Sequence, residues 1–211
     1  MPHDLEPDSR TAPTGLRPRG LVDLRGDGAV PRTLSYPPGA VVVVSGLPGS
    51  GKSTALHRWA AAAPVVDPRT THLACEALMP AWLPYSVYRP WARLRHFRRL
   101  HTSARDGAEL LVHDCGSRSW LRRHLARLLA PQGRELHLVI LDVGSAEALA
   151  GQRSRGRSAP RRTFAQHHRG LGRLVRALRA HGAAAAPETA SVTLLDRSAR
   201  DRLPRVTFDA A

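Results

Sequence analysis

The sequence predicts an α/β fold in which helices flank a parallel sheet of five strands. Short runs of apolar, often β-branched residues recur along the chain, as is typical of strands buried on both faces. Stretches with an apolar stripe at helical spacing alternate with these runs, and a glycine-rich loop follows the first of them. The predicted strands, in chain order, cover residues 40–44, 64–67, 109–114, 135–143 and 191–196.

Length and composition limit the classes to which this fold can belong. The chain has 211 residues, enough for one domain with tails and a buried core. It contains no run of eighteen apolar residues, and its first residues lack the features of a secretory signal. We therefore expect a cytoplasmic protein without a membrane span. Cys75 and Cys115 have no metal-ligand spacing and are interpreted as reduced core thiols.

The formal net charge of +15 has two interpretations. A polyanionic partner such as nucleic acid would explain it, and so would arginines spread over solvated helix faces. The arginines extend from Arg10 to Arg205 without one dominant block. This distribution favours the second interpretation and leaves weak nucleic-acid binding open.

The ends of the chain differ in composition from its middle. Residues 1–35 are rich in Pro, Gly, Asp and Arg without periodicity, so we expect a disordered or loose lead-in. The predicted domain covers residues 36–200, and residues 201–211 are expected to form a C-terminal tail.

The loop after the first strand fits the phosphate-binding pattern G-x-x-x-x-G-K-[ST] at every fixed position. Its backbone N–H groups and the start of the following helix would attract a triphosphate. Lys52, which is the only lysine of the chain, would reach the β- and γ-phosphates, and the Ser53 hydroxyl would ligate Mg²⁺. The predicted nucleotide-binding residues are Gly46, Leu47, Pro48, Gly49, Ser50, Gly51, Lys52, Ser53 and Thr54.

The second strand ends in Asp67, directly before Pro68. Ligands of open α/β sheets bind beyond the carboxyl ends of the strands, so Asp67 is expected near the phosphates. It is a candidate general base or anchor for the phosphate acceptor. An N-cap of the following helix is an equally good interpretation.

Residues 68–108 form the candidate acceptor region. Aromatic residues alternate there with arginines, and the spacing predicts a helix over residues 90–103. The aromatic residues and arginines of this helix could stack nucleic-acid bases and hold phosphates. More often, the aromatic residues of such a helix pack against the core and the arginines form its charged outer face.

The third and fourth strands each end in an aspartate, Asp114 and Asp142. An apolar strand with a terminal aspartate is what the second element of a nucleotide-bound Mg²⁺ site requires. Both residues compete for this role.

Residues 152–162 predict an arginine lid. The segment is dense in arginine and interrupted by Gly156 and Pro160, as is typical of a mobile loop. Arg153 and Arg157 lie one helical turn apart and could together neutralise charge on the transferred phosphoryl group. The alternative interpretation is a solvated loop.

Taken in order, these features resemble the small P-loop kinases. The sequence Val44–Thr54, followed by Asp67, Asp114 and the lid, is similar to the polynucleotide-kinase-like and zeta-toxin-like group, often labelled AAA-family ATPases. The resemblance covers about residues 36–198. It implies a three-layer α/β/α P-loop NTPase fold with strand order 2-3-1-4-5, in which the third strand carries the metal-site aspartate.

The resemblance also implies an activity. ATP and Mg²⁺ would bind at the glycine loop, Asp114 would act on the metal side, and Asp67 on the acceptor side. Two departures from polynucleotide kinases put a polynucleotide acceptor in doubt: Arg69 follows Asp67 after two residues instead of three, and Asp114 is followed by Cys115-Gly116.

Two classes of function therefore remain. The first is a phosphotransferase that moves the γ-phosphoryl group of ATP to a hydroxyl on a small molecule or a nucleic-acid end. The second is an ATP-binding switch or nucleic-acid-binding module with slow hydrolysis.

Overall fold

A six-stranded parallel sheet forms the centre of the molecule, with strand order β1-β7-β6-β3-β5-β4. The structure is a computed structural model, and it describes residues 14–114, 118–154, 156 and 160–210. The strands are β1 (Gly20–Asp23), β2 (Thr33–Tyr36), β3 (Val41–Gly46), β4 (Val65–Val66), β5 (Leu110–His113), β6 (Leu136–Leu141), β7 (Ser191–Leu195) and β8 (Arg205–Phe208).

The predicted order of the five strands is confirmed, because β4, β5, β3, β6 and β7 lie side by side as 2-3-1-4-5. Strand β3 lies between β5 and β6, with Val44 in register with His113 and Val139. The end of β3 therefore lies beside the ends of both neighbours, and the loops that follow these strands meet at one edge of the sheet.

The predicted number of strands is too small by one. Residues 20–23, expected in a loose lead-in, form β1 and pair in parallel with β7. The expected C-terminal tail is also ordered in part, since β8 pairs with β2 in a separate two-stranded sheet. Both segments are short and partly polar, so their pairing depends on tertiary contacts more than on local pattern.

Seven helices surround the sheet in the described part of the chain: α1 (Lys52–Trp59), α2 (Pro68–Glu76), α3 (Tyr85–Arg105), α4 (Ser119–Leu129), α5 (Ser145–Arg153), α6 (Arg161–His181) and α7 (Arg197–Arg202). Helix α3 begins five residues before the predicted start, and Pro90 lies inside it. None of the described helices is long and apolar enough to cross a membrane.

Two apolar clusters cover the two faces of the sheet, which gives the predicted three layers. Val41 and Val43 of β3 pack with residues of α3, α4, α5 and α6 on one face. Val42 and Val44 pack with residues of α1, α7 and the two-stranded sheet on the other. The alternation follows the two-residue period of a strand. Because both faces are covered, β3 is buried along its whole length and holds the glycine loop rigidly at its end.

Candidate active site

The glycine loop joins the end of β3 to the start of α1. Gly51 is the N-cap residue of α1, with φ at 92°, and Gly49 has φ at 90°. These values fall where side chains are disfavoured, so glycine is needed at both positions. The loop thus adopts the strand–loop–helix arrangement that the sequence pattern predicts.

Lys52 is buried against this loop, with only 4% of its surface exposed. Its Nζ donates hydrogen bonds of 2.8 Å to the carbonyl oxygens of Gly46 and Leu47. Ser53 and Thr54 lie in the first turn of α1 and are exposed. The roles expected of Lys52 toward the phosphates and of Ser53 toward Mg²⁺ stay predictions.

Asp114 lies beside the loop, directly after β5. Its backbone N–H donates a 3.0 Å hydrogen bond to the carbonyl oxygen of Val44, and the residue is 6% exposed. Asp114 and Ser53 offer a carboxylate and a hydroxyl oxygen, which is the ligand chemistry that Mg²⁺ prefers. Within the described residues, no group of three His, Cys, Asp or Glu side chains could hold a metal ion by itself.

Asp142, the competing candidate, is engaged elsewhere. Its carboxylate accepts a 2.5 Å hydrogen bond from Arg25, which also pairs with Asp23 at the end of β1. Arg25, two residues beyond the unpredicted strand β1, is therefore the partner of Asp142. The choice of Asp114 for the metal side stays a prediction.

Asp67 is the N-cap residue of α2, so the structural interpretation of this residue holds. One carboxylate oxygen accepts a 2.8 Å hydrogen bond from the backbone N–H of Arg69. The other lies 2.9 Å from Nδ1 of His113, the last residue of β5. Burial raises the pKa of Asp67, but the contacts with His113 and Arg69 lower it more, so its pKa lies below its ordinary value. Asp67 is therefore held in its charged form, as a proton acceptor must be.

A cavity of about 570 Å³ opens beside these carboxylates. Its size is in the range of small-molecule sites. Residues of α2, α3, α4 and α6 line it together with the end of β5: Pro68, His72, Tyr85, Ala92, Arg93, Leu94, His96, Phe97, Leu100, His113, Asp114, Arg118, Trp120, Leu121 and His167. The candidate acceptor region thus supplies one wall, but helices beyond residue 108 supply the others.

Two histidines of this cavity were not predicted from the sequence. Burial lowers the pKa of His96, which also senses the charge of Asp67. Burial lowers the pKa of His167 in α6, and so do the positive charges of Arg118 and Lys52, while the charge of Asp114 opposes the shift. Both side chains are therefore neutral near pH 7, and they can donate or accept hydrogen bonds inside the cavity.

Helix α5 and the last helix pack directly on the loop. Gln152 donates a 3.0 Å hydrogen bond to the carbonyl oxygen of Pro48. Arg200 of α7 is buried and donates a 2.9 Å hydrogen bond to the carbonyl oxygen of Ser50. Gly51 leaves the space for this guanidinium, because a Cβ at Gly51 would lie 1.8 Å from it.

The predicted arginine lid is described only in part. Arg153 is the exposed last residue of α5, one position after Gln152 and therefore close to the loop. Arg157 lies outside the described residues. The lid function of both arginines stays a prediction.

Sequence reasoning did not identify His96, His113 and His167 as parts of one site. None of these histidines belongs to a motif of fixed spacing. The order of the strands was the one usable signal, because it places the end of β5 beside the glycine loop.

Comparison with protein families agrees with this geometry. A family model described as "AAA domain" matches residues 41–177, which is more than half of the chain. The chain belongs to the AAA domain family. The match begins at β3 and ends within α6, so it includes the glycine loop, Asp67, Asp114 and the predicted lid. A comparison with curated proteins gives no match.

Solved structures share the fold of this AAA domain protein. One belongs to the PezAT chromosomal toxin–antitoxin system of Streptococcus pneumoniae, with 16% identity, a TM-score of 0.57, and coverage of 79% of this chain and 69% of that chain. A structure of AvrRxo1-ORF1:AvrRxo1-ORF2 has 15% identity, a TM-score of 0.52, and coverage of 76% and 55%. A protein of Chloroflexus aurantiacus, provisionally assigned as a kinase, has 14% identity, a TM-score of 0.51, and coverage of 74% and 87%.

The family match and these folds confirm the resemblance to small P-loop kinase-like NTPases. They also support nucleotide binding as the general property of the site. At these identities the solved structures show the fold alone.

Proposed function

We propose that this protein transfers the γ-phosphoryl group of ATP to the hydroxyl group of an acceptor bound in the cavity. The observation that carries this proposal is the position of the cavity. His113 and Asp114 are among its lining residues, and they lie beside the loop that contains Lys52. A donor on the loop and an acceptor in the cavity would therefore meet at one edge of the sheet.

The loop residues would bind and orient the donor. Backbone N–H groups of the loop would donate hydrogen bonds to phosphate oxygens, and Lys52 would exchange its carbonyl partners for the phosphates. Mg²⁺, held on the protein side by Ser53 and Asp114, would neutralise charge on the phosphate oxygens.

Asp67 would act on the acceptor. As the acceptor oxygen forms its bond to the γ-phosphorus, the bond from phosphorus to the bridging oxygen of ADP breaks. The proton of the hydroxyl would pass to the Asp67 carboxylate, whose lowered pKa keeps it charged at neutral pH. Arg153 and Arg157 would approach the transferred group from the end of α5. Positioning and charge stabilisation would supply most of the rate enhancement.

The decisive variant for this proposal is Lys52→Ala. We expect the variant to lose ATP turnover by roughly 100-fold or more, because a phosphate-neutralising charge is lost from a site that excludes water. The fold should persist, since Ala has a high helix propensity at the start of α1. The measurement is ATP consumption over a panel of hydroxyl acceptors, together with thermal unfolding.

Arg98→Ala is the matched control, because it also removes one positive charge but from an exposed position on α3 outside the cavity. Its turnover should equal that of the unmodified protein. Undiminished turnover in Lys52→Ala would contradict the proposed function.

A further inference from the structure

A second depression adjoins the cavity. This groove has a volume of about 360 Å³ and is lined by Arg89, Arg93, Arg118, Ser119, Trp120, Thr163, Gln166 and His167. Four of these residues, Arg93, Arg118, Trp120 and His167, also line the cavity. The groove and the cavity therefore share part of their walls, to which α3, α4 and α6 contribute.

The groove carries a positive charge that the protein does not balance. No acidic residue is found among the described residues that line it. The three arginines Arg89, Arg93 and Arg118 form no ion pair with any residue of the described ranges. Arginine presents its donors in a planar fork, which suits carboxylate, sulfonate and phosphate oxygens.

Two helix N-termini add to this charge. The N-cap of α4 is Arg118, which has no acceptor for the first N–H groups, and the N-cap of α6 is Pro160. Neither helix has an acidic residue in its first turn. Ser119 and Thr163, in these first turns, both line the groove. The positive ends of two helices thus face the same space as the arginines.

The cavity has a different character. Its walls include Phe97, Leu100, Trp120 and Leu121, and Asp114 is the only acidic residue among the described residues that line it. Asp114 lines the cavity alone, Arg89 lines the groove alone, and Arg93 and Arg118 line both. An occupant of both depressions would therefore contact one carboxylate, apolar walls and arginines.

We propose that the acceptor is a small hydroxyl compound with an aromatic or other planar apolar body and an anionic group, and that Arg89, Arg93 and Arg118 bind this group. The proposal rests on the proposed function only in calling the occupant an acceptor. The hydroxyl group would lie near Asp67 and its partner His113, and the body would pack against the adjacent rings of Phe97 and Trp120. Neutral polyols and sugars, which lack both the body and the charge, are excluded as preferred acceptors.

The test uses two fluorescent probes of similar shape. One is 8-anilinonaphthalene-1-sulfonate, which carries a sulfonate, and the other is N-phenyl-1-naphthylamine, which is neutral. We expect the sulfonate to bind with one-to-one stoichiometry. Its dissociation constant should rise by about tenfold or more in the double variant Arg93→Gln/Arg118→Gln, because charge-assisted hydrogen bonds are lost. The neutral probe should keep its affinity within about twofold, since apolar contacts are unchanged.

The control variant is Arg98→Gln/Arg127→Gln, which removes one exposed arginine from each of the same two helices outside the groove. It should bind both probes as the unmodified protein does. Equal weakening in the two double variants would show a general charge effect and overturn the proposal. Absence of one-to-one sulfonate binding at millimolar concentration would also overturn it.

Acceptor assays then separate this proposal from the proposed function. The matched pairs are adenosine 3′-phosphate with adenosine, and 4-(hydroxymethyl)benzoate with its methyl ester. The anionic member of each pair should be phosphorylated faster, and Arg93→Gln/Arg118→Gln should remove the difference. Probe binding as expected without any phosphorylation would contradict the proposed function alone. Faster transfer to the neutral member of each pair would contradict the acceptor proposed here. Faster transfer to oligonucleotides than to any of the small anions would contradict it as well.

Discussion

At the scale of single residues, Gly49 shows how closely the glycine loop is packed. A Cβ at this position would lie 2.0 Å from the carbonyl oxygen of Ala148 and 2.9 Å from Cγ of Gln152, both in α5. The first of these atoms belongs to the backbone, so α5 would have to move. Gly49→Ala should therefore lower the free energy of unfolding by about 2 kcal/mol or more, since a positive φ adds strain to the clash.

Urea unfolding measures this loss, and Gly28→Ala is the control. Gly28 has no positive φ, and a Cβ there would have no atom within 4 Å, so its variant should be nearly neutral. Equal stability of Gly49→Ala and Gly28→Ala would contradict the conclusion that α5 packs too closely on the loop to admit a Cβ at Gly49.

The sequence identifies the loop residues but not this packing. A pattern of fixed spacing specifies which backbone conformations are needed, and the structure confirms them at Gly49 and Gly51. The pattern contains no information about which side chains, distant in the sequence, cover the loop. Gln152 and Arg200 reach it only because α5 and α7 follow the neighbouring strands β6 and β7.

At the scale of secondary-structure elements, the ends of β5 and β6 allow a direct comparison. Asp114 follows β5 and lies next to the loop, whereas Asp142 follows β6 and pairs with Arg25. We expect Asp114→Asn to abolish Mg²⁺-dependent ATP turnover, because a metal-site carboxylate is lost. Asp142→Asn should retain turnover and lose only a little stability, since the pair is partly exposed.

The measurement is the Mg²⁺ dependence of ATP consumption in the two variants. The substitutions are chemically identical, so a general effect of losing a carboxylate cannot produce a difference between them. Loss of turnover in Asp142→Asn with retention in Asp114→Asn would reverse the assignment.

Five strands could be predicted because each contains an apolar run that is buried in the sheet. Strand β1 was missed, since Gly20–Asp23 has only two apolar residues and is held largely by its pairing with β7. Helix α3 was predicted too short, because Pro90 suits the first turn of a helix and suggested a later start than Tyr85. Of the two edge strands of the sheet, local pattern thus identifies β4 but not β1.

At the scale of the whole molecule, the excess of arginine is distributed unevenly around the site. Helix α3 contains six arginines and no acidic residue within Tyr85–Arg105. Its inner side lines the cavity, while Trp91 and Arg95 contact each other on the exposed side, with the guanidinium 5.5 Å from the ring. Weak nucleic-acid binding by this surface stays a prediction, as does a cytoplasmic location.

The acid stability of the molecule should depend on His137, which is buried in β6 and 1% exposed. Its Nδ1 lies 2.8 Å from Oγ of Ser191, and its ring packs 4.7 Å from that of Tyr36. Burial lowers the pKa of His137 to about 4; the nearby Glu135 opposes this shift and Arg19 adds to it. In the unfolded chain the pKa of His137 would have its ordinary value of about 6.5. Between about pH 4 and pH 6.5 the unfolded state therefore binds more protons than the folded state.

Stability should therefore be complete above about pH 6.5 and fall as the pH decreases toward about 4, by roughly 3 kcal/mol from this residue. Urea unfolding of the unmodified protein and of His137→Gln across this range measures the effect. The variant removes the titrating group but can keep a hydrogen bond to Ser191, so its stability should change less with pH. The exposed His181 provides the control, because the stability of His181→Gln should change with pH as that of the unmodified protein does. If the stability of His137→Gln also fell with decreasing pH as steeply as that of the unmodified protein, other groups would be responsible for the loss of stability in acid.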